Sequence, residues 1–134
     1  MGLCEQPNIL VVEDDERLRE LLARILATAG YTVLTAEHGR DAVKLLASNK
    51  VQIILTSLMM PEMDGIELTR FVHQEYPDVK VVIFGSSLDD LLLKVARHLG
   101  ARASFAMPIS PNRLIALVEA IRSDDGNSMS TGAG

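Results

Sequence analysis

The chain has 134 residues, 48% of them hydrophobic, and a formal net charge of -5. Such a chain fits one globular domain with a sizeable core and excludes a disordered polymer. The acidic balance, with no basic run, argues against direct nucleic-acid binding, because phosphate contacts need clustered Lys or Arg.

The lone cysteine, Cys4, rules out an internal disulfide and a CxxC metal site. No apolar run approaches the roughly 20 residues of a membrane helix. No basic segment followed by an apolar one opens the chain, so a cytoplasmic protein without signal peptide is expected. Met1-Gly2-Leu3-Cys4 hints at lipidation, but Gln6 stands where an acylation motif wants Ser or Thr. Residues 1–7 are therefore read as an N-terminal extension.

Ile9 to Val12 is a continuous apolar run, which suits a strand buried on both faces of a parallel sheet. Glu13-Asp14-Asp15 follow, and Asp15 can cap a helix with its stripe at Leu18, Leu21, Leu22, Ile25, Leu26 and Ala29. Gly30 stops it. Tyr31 to Ala36 predicts a second strand, and His38-Gly39 a turn into a helix bearing Ala42, Val43, Leu45 and Leu46. Val51 to Thr56 predicts a third strand, ending at Ser57. Asp64 caps a helix with Ile66, Leu68, Phe71 and Val72 inward. Val79 to Phe84 is a fourth strand, ending in Gly85-Ser86-Ser87. A fourth helix carries Leu91, Leu92, Val95, Ala96 and Leu99, and Gly100 terminates it. Ala103 to Ala106 is a short fifth strand, and Ser110-Pro111 opens a last helix with Leu114, Ile115, Leu117, Val118 and Ile121. The domain is expected over residues 8–122. Residues 123–134, polar and Gly-rich, read as a disordered tail or linker stub.

Strict alternation of strand and helix with short connections predicts an α/β fold, a doubly wound parallel sheet covered on both faces. Ligands in such sheets collect at the C-terminal strand ends. The groups gathered there are Glu13, Asp14 and Asp15, then Ser57, then Ser86 and Ser87, then Met107-Pro108. Acids beside hydroxyls suggest a pocket for a hard cation or a phosphoryl group. The plainer alternative is that Asp14 and Asp15 only cap a helix and Ser86 only fills a turn.

Ile9 to Glu16, the string Leu58-Met59-Met60-Pro61-Glu62-Met63-Asp64-Gly65, and Gly100-Ala101 followed by Pro108 together resemble a two-component response-regulator receiver domain. The resemblance implies a flavodoxin-like (βα)5 sheet in strand order 2-1-3-4-5 and a role in phosphorelay signal transduction rather than enzymatic catalysis. It also implies site roles. An aspartate accepting a phosphoryl group would stand at Ser57, and a lysine contacting that group at Met107. An aromatic switch residue would stand at Ser104. Glu13 and Asp14 match the acids that hold Mg²⁺, Met59 the residue whose carbonyl assists, and Ser86 the hydroxyl that follows the phosphoryl group. Met107-Pro108 falls on a peptide bond usually cis in the family.

These departures change the chemistry. Serine has no carboxylate to form an acyl phosphate, and its hydroxyl is a poor nucleophile without an adjacent base. His38, His73 and His98 are expected on the surface, away from it. Losing one carboxylate weakens Mg²⁺ binding, so no cofactor is expected beyond weakly held Mg²⁺. Two acids without the lysine carry the same formal charge as three acids with it. The resulting expectation is a degenerate pseudo-receiver that acts by phosphorylation-independent contact with a signalling protein or effector domain. Helix four, strand five and helix five would form the contact face, and a homodimer through it is plausible, since Leu91-Leu92-Leu93 cannot all face a core. The alternative is a phosphorylatable receiver that uses Asp14, Asp15 or Ser57. A flavin or enzyme site on this fold is disfavoured: acids after strand one repel phosphate, and no P-loop or GxGxxG is present.

Overall fold

The computed structural model describes residues 8–123. Residues 1–7 and 124–134, with the expected extension, the lipidation hint and nearly all of the tail, lie outside the described residues. The elements are β1 (Asn8–Val12), α1 (Glu16–Thr28), β2 (Thr32–Ala36), α2 (Gly39–Ser48), β3 (Ile53–Ser57), α3 (Gly65–Glu75), β4 (Lys80–Gly85), α4 (Asp90–His98), β5 (Ala103–Ala106) and α5 (Pro111–Ser123). The strands form one five-stranded parallel sheet in the order β2-β1-β3-β4-β5, the flavodoxin-like topology. No helix among the described residues is long and apolar enough to cross a membrane.

Period-two alternation sends neighbouring strand residues to opposite layers. Ile9, Val11, Leu55, Phe84 and Phe105 face α1 and α5, where Leu22, Leu26, Leu114 and Val118 meet them. Leu10, Val12, Ile54 and Ile83 face the other way, against Leu46, Leu68, Val72, Leu93 and Ala96 of α2, α3 and α4. Phe84 and Phe105 stack with ring centroids 5.4 Å apart, which joins the last two strands inside the first layer.

Side-chain caps set the helix starts. Asp15 accepts the Leu18 N–H at 3.1 Å, and Ser110 accepts that of Arg113 at 3.2 Å. Asp64 and Glu67 form a reciprocal capping box at the head of α3. Gly30 and Gly100, with φ of 103° and 127°, take the left-handed turns that end α1 and α4.

Two expectations need correction, at His38 and at Leu21, whereas the expectation that Leu91-Leu92-Leu93 cannot all face the core is met. His38 is not a surface residue: it is half-buried, and its Nδ1 accepts the Asp41 N–H at 3.4 Å as the cap of α2. Leu91, Leu92 and Val95 do not face the core. They are exposed, while Leu93 and Ala96 are buried. Helix four carries apolar residues on two faces, so periodicity alone could not tell which one docks. In α1, Leu21 is likewise exposed and Leu22 and Leu26 carry the contact. Smaller shifts concern boundaries: β3 extends to include Ser57, and α5 includes Ser123.

The return from β3 into α3 is the tightest connection near the strand ends. The Gly65 N–H donates to the Leu58 carbonyl at 2.9 Å, and Leu58 N–H donates to the Phe84 carbonyl at 2.7 Å. A Cβ on Gly65 would lie 2.2 Å from the Ser57 carbonyl oxygen, a backbone atom that cannot step aside. Gly65→Ala is therefore expected to destabilise the domain by about 1–3 kcal/mol, as overpacking does. Urea unfolding measures it, and an unchanged midpoint would show that this turn has slack.

Candidate functional site

Four strand ends build one pocket of about 250 Å³. Glu13, Ser57, Met59, Ser86 and Met107 line it, with Leu18, Phe84 and Asp89 among their neighbours. The structure thus brings together five of the positions singled out in the sequence. The others stand apart from the lining. Asp14 is exposed, Ser87 starts a 3₁₀ turn on the surface, and Pro108 is exposed beyond the cis Met107-Pro108 bond. Ser104 is buried in β5, where its hydroxyl accepts from the Arg97 guanidinium of α4.

Glu13, Ser57 and Met107 are held by backbone pairing. Glu13 N–H donates to the Ala36 carbonyl at 3.1 Å, which extends the β1–β2 ladder by one residue and turns the side chain inward. Its Oε2 accepts the Asp15 N–H at 2.9 Å. Ser57 ends β3 opposite Phe84. Met107 N–H donates to the Gly85 carbonyl at 2.7 Å, so the residue after β5 is tied to the end of β4.

Ser57 is only 6% exposed, and its Oγ is buried with no hydrogen-bond partner among the described residues. Buried hydroxyls are normally satisfied, and an orphan costs about 1–3 kcal/mol. Ser86, the other hydroxyl of the lining, is engaged elsewhere. The Ser86 Oγ donates to Asp89 Oδ2 at 3.1 Å and accepts the Leu88 N–H at 3.1 Å, while Asp89 also takes the Ser86 N–H at 2.9 Å. So Ser86 both lines the pocket and caps the turn before α4. Asp89 escaped the sequence reading, although the Ser-x-x-Asp spacing of a capping box marks it.

The donor set does not fit a tightly held Mg²⁺. Glu13, Asp14 and the Met59 carbonyl are the groups that could contribute, with the Ser57 hydroxyl in place of a third carboxylate. No group of three His, Cys, Asp or Glu able to hold a metal occurs among the described residues. Glu13 already serves the Asp15 N–H. Burial, chiefly, pushes its carboxyl up from 4.5 to about 7; the Asp15 N–H opposes this, while a hydrogen bond with Asp14 and the charges of Asp14 and Asp15 add to it.

That shift has a sign in stability. Between about 4.5 and about 7 the folded chain holds a proton on Glu13 that the unfolded chain has released. Stability from this group is present at the acid end and declines as pH rises through that window. Glu13→Gln is expected to flatten the decline and leave the protein more stable near pH 8, because an amide oxygen can still accept the Asp15 N–H. Urea unfolding of both proteins across pH tests this, and parallel curves would refute it.

The comparisons with known proteins agree with this geometry. The response regulator receiver domain model matches residues 9–119. The transcriptional regulatory protein GltR of Pseudomonas aeruginosa is 30% identical over 116 residues, which cover 85% of this chain and 48% of that protein. The DNA-binding transcriptional regulator NtrC of Escherichia coli is 34% identical over 111 residues, 83% of this chain and 24% of its own length. The chain therefore spans less than half the length of these relatives. The signal receiver domain of an HD domain-containing protein from Pseudomonas fluorescens superposes with a TM-score of 0.81 at 28% identity, over 88% of this chain and 96% of that one. With the parallel 2-1-3-4-5 sheet and the pocket at its strand ends, the chain belongs to the response regulator receiver domain family, the signalling modules of two-component phosphorelays, which are not enzymes.

Proposed function

We propose that this receiver is degenerate and signals by protein contact, without phosphoryl transfer to position 57. The carrying observation is the buried, unpartnered hydroxyl of Ser57 beside Met107, where the family resemblance implies an aspartate and a lysine. A phosphoryl group needs a nucleophile to receive it and cations to steady its oxygens. The lining residues supply acids, hydroxyls and apolar groups, and no cation. Mg²⁺ binding at Glu13 and Asp14 is weak in this reading, or lost.

The contact face lies on and around α4. Leu88 is 94% and Leu91 73% exposed, with Leu92 and Val95 beside them, a stripe at helical spacing. Such a face fits a signalling protein or an effector domain, and a second copy of this chain is the symmetrical variant. The reading includes a cytoplasmic location and no nucleic-acid contact by this domain. Phosphorylation of Asp14, Asp15 or Ser57 is the opposing reading.

Exposure to acetyl phosphate and Mg²⁺ is expected to give no hydroxylamine-sensitive adduct, and beryllofluoride no shifts of the Glu13, Ser57 and Ser86 amides in NMR spectra. A phosphoryl group found by mass spectrometry on Asp14, Asp15 or Ser57 would refute the proposal. Restoration offers a second test. Ser57→Asp alone sets another carboxylate beside Glu13 with no cation, and is expected to cost about 1–3 kcal/mol. Adding Met107→Lys should recover most of that loss and bring back a beryllofluoride response. A single Ser57→Asp variant as stable as the parent would show that the pocket tolerates the extra charge.

A further inference from the structure

The strand-end pocket carries negative charge that no cation of its lining offsets. Glu13 and Asp89 line it, and no Lys, Arg or His does. The bonds these carboxylates accept come from neutral donors. Glu13 Oε2 takes the Asp15 N–H, and Asp89 Oδ2 takes the N–H and the hydroxyl of Ser86. Neither acid forms an ion pair among the described residues. The Arg19 guanidinium reaches the Glu13 backbone carbonyl at 2.9 Å, not its carboxylate. Asp14 lies against the Glu13 carboxyl and adds to the negative charge.

A separate observation points to the same space. Alternate residues of a strand share a layer. Ser57 therefore lies on the side of Ile53 and Leu55, Glu13 on that of Val11, and Met107 on that of Phe105, all in the layer covered by α1 and α5. Ser57 is 6% exposed, and its Oγ has no partner among the described residues. A hydroxyl can both give and accept a hydrogen bond. The larger part of the lining is apolar: Leu18, Leu58, Met59, Phe84 and Met107. Met59 is exposed and Met107 half-buried, and their unbranched side chains can yield to an entering group.

These features select a ligand by elimination. An anion would meet two acids and no cation. A hard divalent ion takes about six oxygens or more, and the carboxylates here already serve Asp15 and Ser86. A neutral apolar molecule would leave the charge unpaired. An ammonium group brings one positive charge and three donors on a carbon chain. We propose that the strand-end pocket binds a small primary alkylammonium ion, its head on Glu13 with Ser57 Oγ as a further acceptor and its chain against Leu18, Phe84 and Met107. The proposal rests on the reading of Ser57 as an unmodified hydroxyl.

NMR titration of the full chain near pH 8, at constant ionic strength, tests it with n-butylamine hydrochloride, 1-butanol and sodium butyrate as the three arms. The amine is expected to give saturable shifts at the amides of Glu13, Ser57, Gly85, Ser86 and Met107. Butanol should bind roughly tenfold more weakly, for want of a charge-assisted hydrogen bond, and butyrate should give no saturable shift. Glu13→Gln should weaken amine binding roughly tenfold for the same reason. Ser57→Ala removes a hydroxyl without a partner in the fold, and should weaken binding several-fold while the amide spectrum stays dispersed. Butanol binding as tight as that of the amine, shifts unchanged in both variants, or no saturable shift from the amine would overturn the proposal. The two readings fail separately: an adduct at position 57 after acetyl phosphate treatment would strike the reading of Ser57, and missing amine shifts on the untreated chain would strike this proposal alone.

Discussion

The closure of the chain between β3 and α3 is the constraint on which the strand-end region depends. Three backbone hydrogen bonds converge on it. Leu58 is bound to Phe84, Gly65 to Leu58, and Gly39 at the head of α2 to the Met63 carbonyl at 3.2 Å. They tie two sheet strands and two helices to a stretch of eight residues, Leu58 to Gly65. Glu62 takes a positive φ of 66° within it, and His38 and Arg40 lie 3.7 and 3.5 Å from its carboxylate. The exposed Arg40–Glu62 pair adds little stability. The backbone bonds and the absent Cβ of Gly65 fix the path, and with it the inward placing of Ser57.

That rigidity explains why the chemistry of one side chain matters so much. A buried hydroxyl in a loose loop could turn to water or to a neighbour. Here Ser57 ends a strand paired on both sides, with β1 and β4 as the flanking strands. Glu13 is buried without a positive partner in the lining, so it holds its proton close to neutral pH. A charged Glu13 with a lysine at position 107 would be a different electrostatic object at the same net count.

Much of this was legible in the sequence. Alternating apolar runs, Asp15, Asp64 and Ser110 as caps, and Gly30 and Gly100 as stops are local signals, and local signals survive folding when tertiary contacts agree with them. The strand-end gathering of Glu13, Ser57, Ser86 and Met107 followed from topology alone. What escaped was long-range or ambiguous. The docking face of α4 was hidden because Leu88, Leu91, Leu92 and Val95 form as good a stripe as the residues that actually pack. The burial of His38 depends on its role as a cap, and imidazole is an unusual cap. The Arg97–Ser104 contact joins a helix end to a buried strand, and no pattern in either segment announces it.

This contact also bears on how α4 is held. Its inner face is thin: Leu93 and Ala96 are its buried residues, and its outer face is apolar. A helix with so little buried area is orientated by whatever specific bonds it makes. Two such bonds bracket it. At the start, Ser86 and Asp89 cap the turn that leads in; at the end, Arg97 reaches Ser104 in β5. A bulky ring at 104 would compete for the space that the guanidinium uses, whereas serine is small and gives it an acceptor. Leu91 and Leu92 are exposed between these polar contacts at the two ends of the helix. The polar contacts at its two ends, and not its apolar burial alone, therefore set how α4 lies on the sheet.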